Sequence, residues 1–226
     1  MAREVKARRR YESPRRREQA AATRREILEA AQRLFEEEGY AATTMAAIAK
    51  EAGVALKTVY VAFETKSGLL RALWHLLLRG DEGDAPVGER TWYLELLDEP
   101  DPVRQLKLNA RNSRAAKERM CHVLEVIRGA ASTDPDIEVL WERIQSNYLD
   151  NQRAIIETIA KKNALKKGLD VDTATDILWT INHPSLWQAL VSERGWTPER
   201  YEEWTGDAAV AQLLADPKPR RRQRPS

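Results

Sequence analysis

The segment from residue 43 to residue 63, TTMAAIAKEAGVALKTVYVAF, constrains the fold more than any other part of the chain. Apolar residues recur at helical spacing on both sides of a central Gly53; they are Met45, Ile48, Ala49, Ala52, Val54, Leu56, Val59, Ala62 and Phe63. This spacing predicts two short helices that share a buried face. Glycine can adopt positive φ, which a tight turn between helices requires. The segment therefore predicts a helix-turn-helix unit.

The outward residues of the second predicted helix suit a DNA groove. Lys57, Thr58, Tyr60 and Val61 supply hydrogen-bond donors, a flat ring and an apolar group, and no carboxylate lies among them to repel phosphates. In a helix-turn-helix, the second helix enters the major groove of duplex DNA. A glycine-containing helical hairpin also occurs in domains that bind no DNA, and that alternative stays open on the spacing alone.

Helical patterns flank this unit on both sides. Upstream, Ile27, Leu28, Ala31, Leu34 and Phe35 form one stripe, which ends at Gly39 as a C-terminal stop. Downstream, a helix is predicted to begin at Lys66 and Ser67 and to run through Trp74.

The ordered residues of this region resemble the TetR (tetracycline repressor-like) family of bacterial transcriptional regulators. They are Ile27-Leu28, Ala30-Ala31, Leu34-Phe35, Gly39-Tyr40, Thr43-Thr44, Ile48-Ala49, Ala52-Gly53-Val54, Thr58-Val59-Tyr60, Phe63, Lys66 and Leu69-Leu70. The resemblance covers about residues 23–74. It implies an all-α fold, with an N-terminal three-helix DNA-binding domain followed by a helical ligand-binding and dimerisation domain.

The same resemblance implies roles for six residues at the DNA. Thr44 and Lys66 are expected to contact phosphates, and Tyr60 is expected to pack against the sugar-phosphate backbone. Lys57, Thr58 and Val61 are expected to face base edges. Two positions depart from the family pattern: Ala55 stands where a capping serine is usual, and Lys57 stands where a small glycine is usual. Losing a capping side chain typically costs about 1 kcal/mol.

Charge is distributed unevenly along the chain, although the net charge is only +2. The first 25 residues carry ten basic against three acidic side chains, and the last 11 carry five against one. Such arginine-rich, apolar-poor runs are expected to be disordered, and the first can add phosphate contacts or enter the minor groove. The predicted organisation is a basic arm (1–20), a helix-turn-helix domain (21–66), a helical ligand-binding and dimerisation domain (67–215) and a basic tail (216–226).

The pattern after residue 80 predicts further helices and no strand. A short helix is expected around Trp92 to Leu97, and helices are expected to begin after Asp101, Asp134, Asp172 and Thr197. The first of these four is expected to break near Ala116 or Met120, the second to end by Gly168, and the third to be kinked by Pro184.

The last two predicted helices resemble those of one TetR subgroup. The matching residues are Leu178-Trp179, Pro184, Leu190-Val191, Gly195-Trp196, Glu199, Tyr201, Trp204 and Leu213-Leu214. This implies a homodimer held by a four-helix interface. A small helical core is not expected to bury all the apolar surface of these two helices, which includes Trp187, Leu190, Tyr201 and Trp204. Two-fold pairing would bury the excess surface. A dimer would place two recognition helices about 34–36 Å apart, on a palindromic operator.

TetR-family members usually bind a small-molecule effector among their central helices. The resemblance therefore makes aromatic and polar residues on these helices candidates for binding an effector. They are Trp141, Tyr148, Trp179, His183 and Trp187, with Asn109, Arg111 and His122 as orienting groups. Ordinary core packing is the competing interpretation for each aromatic. Several tryptophans together would suit a flat, apolar or cationic ligand.

Other classes of function find little support in the sequence. No apolar run reaches the length of a membrane span, and a single cysteine suits a reducing cytoplasm. The three histidines lack metal-ligand spacing, and no cofactor is expected. Cys121 and His122 point about 100° apart on a helix, so a thiol enzyme is disfavoured. A DNA-binding protein that needs no ligand remains an alternative, which an internal cavity would disfavour.

Overall fold

The computed structural model describes residues 14–79 and 87–215, and over these ranges the fold is all-α, which confirms the prediction. The helices are α1 (Pro14–Ala42), α2 (Met45–Glu51), α3 (Leu56–Phe63), α4 (Lys66–Arg79), α5 (Thr91–Asp98), α6 (Pro102–Ala130), α7 (Pro135–Lys161), α8 (Val171–Ile181), α9 (Pro184–Trp187) and α10 (Pro198–Leu213). A 3-10 turn (Val87–Glu89) precedes α5, and a π-helical segment (Gln188–Glu193) follows α9. The chain divides into two compact units, Met1–Leu73 and Trp74–Ser226.

The basic arm expected over residues 1–20 is already helical from Pro14 onward. Proline suits the first turn of a helix, and the arginines and alanines that follow it are strong helix formers, so local propensity corrects that expectation. The remainder of the predicted arm, residues 1–13, and the predicted tail, residues 216–226, lie outside the described residues. The expected stop at Gly39 is confirmed, because that residue leaves the helical region with φ 78° and ψ 171°.

The first unit buries the stripes that the sequence predicts on its helices. Its buried apolar residues are Ile27, Leu28, Ala30, Ala31, Phe35, Met45, Ile48, Ala49, Val59, Phe63, Leu69, Leu70 and Leu73. Leu56 is 40% exposed at the start of α3, although its apolar character placed it in the pattern of the buried face. The unit boundary falls within α4, and Leu73 still belongs to the first core.

Three of the four helix starts predicted in the second unit follow the predicted capping residues, and one needs a correction. Asp101, Asp134 and Thr197 each accept a hydrogen bond from a backbone N–H in the first turn of α6, α7 and α10, respectively. The cap of α8 is Asp170, whose carboxylate accepts from the Thr173 N–H at 2.8 Å, and not the expected Asp172. Both aspartates satisfy the same local rule, so tertiary packing decides between them.

Helix lengths in the second unit differ from the prediction at two points. α6 runs unbroken from Pro102 to Ala130, since no proline interrupts it and its buried stripe continues through Met120. α7 ends at Lys161, which agrees with the expected end by Gly168. Pro184 does not kink a continuous helix but begins α9, after α8 ends at Ile181. Proline cannot donate the backbone hydrogen bond that a continuous helix would need there.

α10 packs along α6 at the centre of the second unit. A Cβ on Gly206 would lie only 3.5 Å from the Ala110 Cβ, so the two helices approach closely at that point. Tyr201 (0% exposed) and Trp187 (5% exposed) pack edge to face, with ring centroids 5.1 Å apart. Their burial within one chain corrects the expectation that both would need a partner to cover them. Trp204 remains 40% exposed.

Candidate nucleic-acid interface and internal cavity

The turn between α2 and α3 has the geometry that the sequence predicts. Gly53 has φ 67°, its N–H donates to the Lys50 carbonyl at 3.2 Å, and the Val54 N–H donates to the Ala49 carbonyl at 3.0 Å. This pair of bonds is the Schellman pattern, which satisfies the last carbonyls of a helix and needs a left-handed residue. The prediction of positive φ at Gly53 is confirmed.

α3 presents a mixed polar and apolar surface to solvent. Val61 is 76% exposed and Tyr60 is 48% exposed, Lys57 is exposed as well, and Thr58 is half-buried. Its other face anchors the helix through Val59 and Phe63. An α-helix with its side chains is about 10–12 Å in diameter, and a major groove about 12 Å wide admits it. As expected, Ala55 makes no side-chain cap at the N-terminus of α3.

The C-terminal end of α3 is held by a tight turn into α4. Glu64 has φ 63° and ψ −54°, and the Thr65 N–H donates back to the Phe63 carbonyl at 2.6 Å, which is the geometry of a classic γ-turn. The Thr65 side chain then accepts from the Gly68 N–H at 2.9 Å. A Cβ on Gly68 would lie 2.5 Å from the Phe63 carbonyl oxygen, so only glycine fits.

Arg24 also supports α3, a role that its place in the basic arginine run concealed. Its Nη1 donates to the Ala62 carbonyl at 2.7 Å, and its guanidinium lies 4.1 Å from the centre of the Phe63 ring. Partial burial lowers the pKa of Arg24 from its usual value. The guanidinium therefore helps to cap α3. The spacing of Arg24 one turn before Ile27 and Leu28 was the signal that could have placed it against the core.

Of the two residues expected to contact phosphates, Thr44 is exposed to solvent and Lys66 is bound within the protein. Thr44 is exposed, and its Oγ1 caps α2 by accepting from the Ala47 N–H at 3.1 Å. The Lys66 ammonium turns inward, where it donates to the carbonyls of Tyr40 at 2.7 Å and Thr43 at 3.0 Å and lies over the Tyr40 ring. By binding two backbone carbonyls after the chain bend at Gly39, Lys66 has a structural role there.

The second unit contains a partly open cavity of about 420 Å³. Its wall comes from α4, α5, α6 and α7, and Pro184 at the start of α9 also contributes. Apolar side chains on this wall include Trp74, Leu78, Trp92, Tyr93, Met120 and Leu124. A volume of this size suits a small organic molecule.

Two of the eight residues proposed from the sequence as ligand contacts line this cavity, namely Asn109 and Tyr148. The other six, Arg111, His122, Trp141, Trp179, His183 and Trp187, are not among its lining residues. Arg111 and His122 are exposed, and Trp187 is buried in the core. Trp179 packs on His183 with ring centroids 4.6 Å apart, and that imidazole caps α9.

A buried amide network closes one side of the cavity. Asn109 and Asn182 both donate to the Gln152 side-chain oxygen, at 3.5 Å and 3.3 Å, and the Tyr148 hydroxyl donates to the Asn182 carbonyl. Burial raises the pKa of Tyr148 well above its usual value, so the phenol stays protonated. These bonds fix the orientation of Asn109 and Tyr148 in the wall.

Lys117 is a buried charged residue of the lining that the sequence did not lead us to expect. It is 2% exposed, its Nζ donates to Ser113 Oγ at 2.7 Å, and its ammonium lies 5.1 Å from the centre of the Tyr201 ring. Burial lowers the pKa of Lys117 to about 7. The available signal was its register, because Lys117 falls on the same helical stripe as Met120, Cys121 and Leu124.

Comparison with known proteins identifies the family. The family model described as bacterial regulatory proteins, tetR family, matches residues 27–73. A probable HTH-type transcriptional regulator of Pseudomonas putida, ArpR, is 33% identical over 165 residues, which is 70% of this chain and 75% of that protein. The chain belongs to the TetR family. As a TetR-family protein, it is a DNA-binding transcriptional regulator.

Solved structures of TetR-like proteins share the fold. The complex of SmeT with triclosan aligns with a TM-score of 0.68 and 22% identity, covering 88% of this chain and 98% of that one. NalD, the secondary repressor of the MexAB-OprM multidrug efflux pump in Pseudomonas aeruginosa, aligns with a TM-score of 0.67 and 21% identity, covering 87% and 99%. The TetR fold thus extends over both units of the chain.

Three further observations bear on other classes of function for this TetR-family chain. Burial raises the pKa of the Cys121 thiol to about 11, which disfavours a nucleophilic thiolate. Within residues 14–79 and 87–215, no three histidine, cysteine or acidic side chains come together as a metal site. No helix in the described part of the chain is long and apolar enough to cross a membrane.

Proposed function

We propose that the chain acts as a homodimeric repressor that a small molecule releases from a palindromic operator. The observation that supports this most is the pairing of an exposed α3 surface with a cavity of ligand size in the other unit. A DNA-binding protein that responds to no ligand would not need such a cavity. SmeT in complex with triclosan and the repressor NalD have the same fold. We further propose that the protein works in the cytoplasm and has no catalytic activity.

α3 would read the operator with the residues that it exposes. Lys57 can donate to base edges or phosphates, and Thr58 supplies a hydroxyl beside it. Val61 offers an apolar surface to thymine methyl groups. Tyr60 would pack on the sugar-phosphate backbone, and Thr44 would contact a phosphate at the start of α2. Lys66 would act by fixing the end of α1, because its ammonium is already bound to two carbonyls.

Lys57→Ala and Tyr60→Ala are expected to weaken DNA binding in different ways. Loss of a base contact is worth about 1–3 kcal/mol and should change the preferred sequence, so Lys57→Ala should reduce discrimination. Tyr60→Ala should lower the affinity for the selected operator and for a random duplex by a similar factor, because a contact to the DNA backbone carries no sequence information. Fluorescence anisotropy titration of an operator selected from random DNA, beside a scrambled duplex, measures both effects.

The control for this pair is Lys161→Ala, which removes an exposed lysine from the end of α7 in the other unit. Its two affinities should match those of the unmodified protein. An unaltered preference and affinity in Lys57→Ala would dispose of the assignment of Lys57 to base edges. A loss in Tyr60→Ala confined to the selected operator would contradict its assignment to the backbone.

The cavity would communicate with the DNA-binding unit through α4. This helix begins with Lys66 in the first unit, and its later residues Trp74, His75 and Leu78 line the cavity. A ligand that weakens operator binding by some factor is itself bound more weakly by the operator complex, by the same factor. The direct test is to add compounds to the protein–operator complex and to measure release by anisotropy, with release expected for at least one ligand that fits the cavity.

Dimerisation would use α10 and the segment before it. Trp204 is 40% exposed and packs edge to face on Trp196, with ring centroids 5.9 Å apart. Two-fold pairing would cover this aromatic pair and would place two copies of α3 on one operator. Trp204→Glu is expected to shift the protein from dimer to monomer in sedimentation velocity. Leu149→Glu, at another residue that is 40% exposed, is the matched control. Equal dimer populations in both variants would place the interface elsewhere.

A further inference from the structure

We propose that the cavity binds an amphipathic organic acid, with an apolar body and one carboxylate, sulfonate or phenolate group, and that Lys117 is its counterion. The inference deepens the proposed function, since it names the chemical class of the effector and rests on the cavity being the effector site.

The charges of the cavity wall are unbalanced in favour of an anion. Its lysine and arginine residues are Lys117 and Arg143, and its single acidic lining residue is Asp150. Arg143 and Asp150 are exposed, so water screens both of them. Lys117 is 2% exposed and forms no ion pair with a carboxylate in the described part of the chain. A buried lysine without an acidic partner is costly, and such groups are normally paired.

Two donor groups of the cavity wall have N–H groups to spare. An ammonium has three N–H groups, and Nζ of Lys117 places one on Ser113. Five residues earlier on α6, the Nδ2 group of Asn112 is buried and has no partner among the described residues. Lys117, Ser113 and Asn112 all line the cavity. An acceptor-only group such as a carboxylate or sulfonate would satisfy these donors, whereas a cationic ligand would add to the imbalance.

The remaining wall fits the apolar part of the same ligand. Trp74, Trp92, Leu78 and Leu124 supply flat and aliphatic surface around the space of about 420 Å³. That volume suits a molecule of one to three rings with one charged group. A salt bridge formed inside this apolar wall is screened much less than one on the protein surface.

The ionisation of Lys117 predicts how the affinity for an anionic ligand depends on pH. Burial lowers its pKa to about 7, so at higher pH the free cavity holds a neutral amine. An anion binds the protonated form, and its affinity should therefore fall as the pH rises above 7. The ionisable groups that face Lys117 are Cys121 on α6, Tyr201 on α10, Tyr148 on α7 and His183 before α9, with Glu125 and Arg128 acting on His183. Burial raises the pKa of Cys121, Tyr148 and Tyr201 and lowers that of His183.

The test uses two fluorescent probes that differ in one group. 8-Anilinonaphthalene-1-sulfonate carries a sulfonate, and N-phenyl-1-naphthylamine has the same rings without it. Lys117→Met is expected to weaken binding of the sulfonate about 10- to 100-fold, the loss expected for one charge-assisted hydrogen bond. Binding of the neutral probe should change less than about threefold, because methionine keeps the apolar volume. Lys117→Arg should retain preference for the sulfonate, and the exposed Lys161→Met serves as the control.

Measuring the affinity of both probes from pH 6 to pH 9 shows whether Lys117, and not another ionisable group, causes the pH dependence. The sulfonate should bind progressively more weakly above pH 7 in the unmodified protein, and this dependence should be absent in Lys117→Met. The neutral probe should show no such trend in either protein. Circular dichroism establishes that each variant is folded.

The outcomes distinguish this inference from the proposed function. If the neutral probe binds as tightly as the sulfonate, or if Lys117→Met binds both as the unmodified protein does, the organic-acid inference is overturned while the cavity remains a ligand site. If neither probe binds the unmodified protein, the organic-acid inference is overturned, and the operator-release experiment decides the proposed function separately. Loss of sulfonate binding in Lys161→Met as well would assign the effect to general surface charge and would also overturn the inference.

Discussion

Lys117→Met is expected to raise the free energy of unfolding by about 2 kcal/mol or more at pH 7, since replacing a buried charge with a well-packed apolar side chain is often stabilising. The native state holds this ammonium at 2% exposure without an acidic partner, whereas the unfolded chain solvates it fully. Methionine has nearly the same length and removes the charge. Urea unfolding followed by tryptophan fluorescence measures the change, because all seven tryptophans lie in the second unit, from Trp74 onward.

The stabilisation should depend on pH in a defined direction. The pKa of Lys117 is lowered from 10.5 to about 7 in the folded protein, so the penalty is fully present below pH 7. Between pH 7 and 10.5 the unfolded state binds more protons than the native state, and the unmodified protein gains stability relative to the variant as pH rises. The gap between the two should narrow by about 2 kcal/mol from pH 7 to pH 9. A gap of the same size at both pH values would contradict the assigned burial, and Lys161→Met should show no gap at either.

Gly68→Ala is expected to destabilise the DNA-binding unit by about 1–3 kcal/mol, the usual cost of overpacking. The added Cβ would lie 2.5 Å from the Phe63 carbonyl oxygen, a backbone atom that cannot move without opening the turn around Glu64. That turn fixes the end of α3, so operator affinity should fall together with stability. Far-UV circular dichroism melts and anisotropy titrations measure the two effects.

Gly129→Ala is the matched control for this substitution. It is also a helical glycine, but nothing lies within 4 Å of the Cβ that alanine would add. Alanine is favoured over glycine in a helix by about 1 kcal/mol, so this variant should be slightly more stable and should bind DNA normally. If both alanine variants melt alike, the close approach at Gly68 is not what holds the turn.

Local chemistry in the sequence was enough to place most helix starts and the central turn. Asp101, Asp134 and Thr197 are helix caps, and Gly53 has positive φ, because each of these depends on a few adjacent residues. The sequence pattern could not predict that Asp170 and not Asp172 caps α8, since both residues satisfy the capping rule equally.

The cavity wall was harder to predict, because it depends on how long helices rotate against one another. The number of aromatic residues indicated an apolar interior, yet Trp141 and Trp179 are not among the lining residues while Trp74 and Trp92 are. Residues that are polar by type can also lie inside. Lys117 was overlooked because lysine usually lies on the surface, although its helical register matched the buried stripe.

The same limit applies to two cations that stabilise the DNA-binding unit from its interior. The family resemblance implied a phosphate contact for Lys66, and Arg24 belonged to the basic N-terminal run that was expected to add phosphate contacts. The structure directs both toward backbone carbonyls, those of Tyr40 and Thr43 for Lys66 and that of Ala62 for Arg24. The unpaired carbonyls at helix ends need donors, and that need cannot be read from charge alone.

The ratio of affinities for a selected operator and a scrambled duplex, measured by anisotropy at moderate ionic strength, tests the central claim most directly. If α3 reads base edges, the unmodified protein should prefer the selected duplex by about a thousandfold or more, and Lys57→Ala combined with Val61→Ala should reduce that preference substantially. Equal affinity of the folded, unmodified protein for both duplexes, or an undiminished preference in the double variant, would contradict the account.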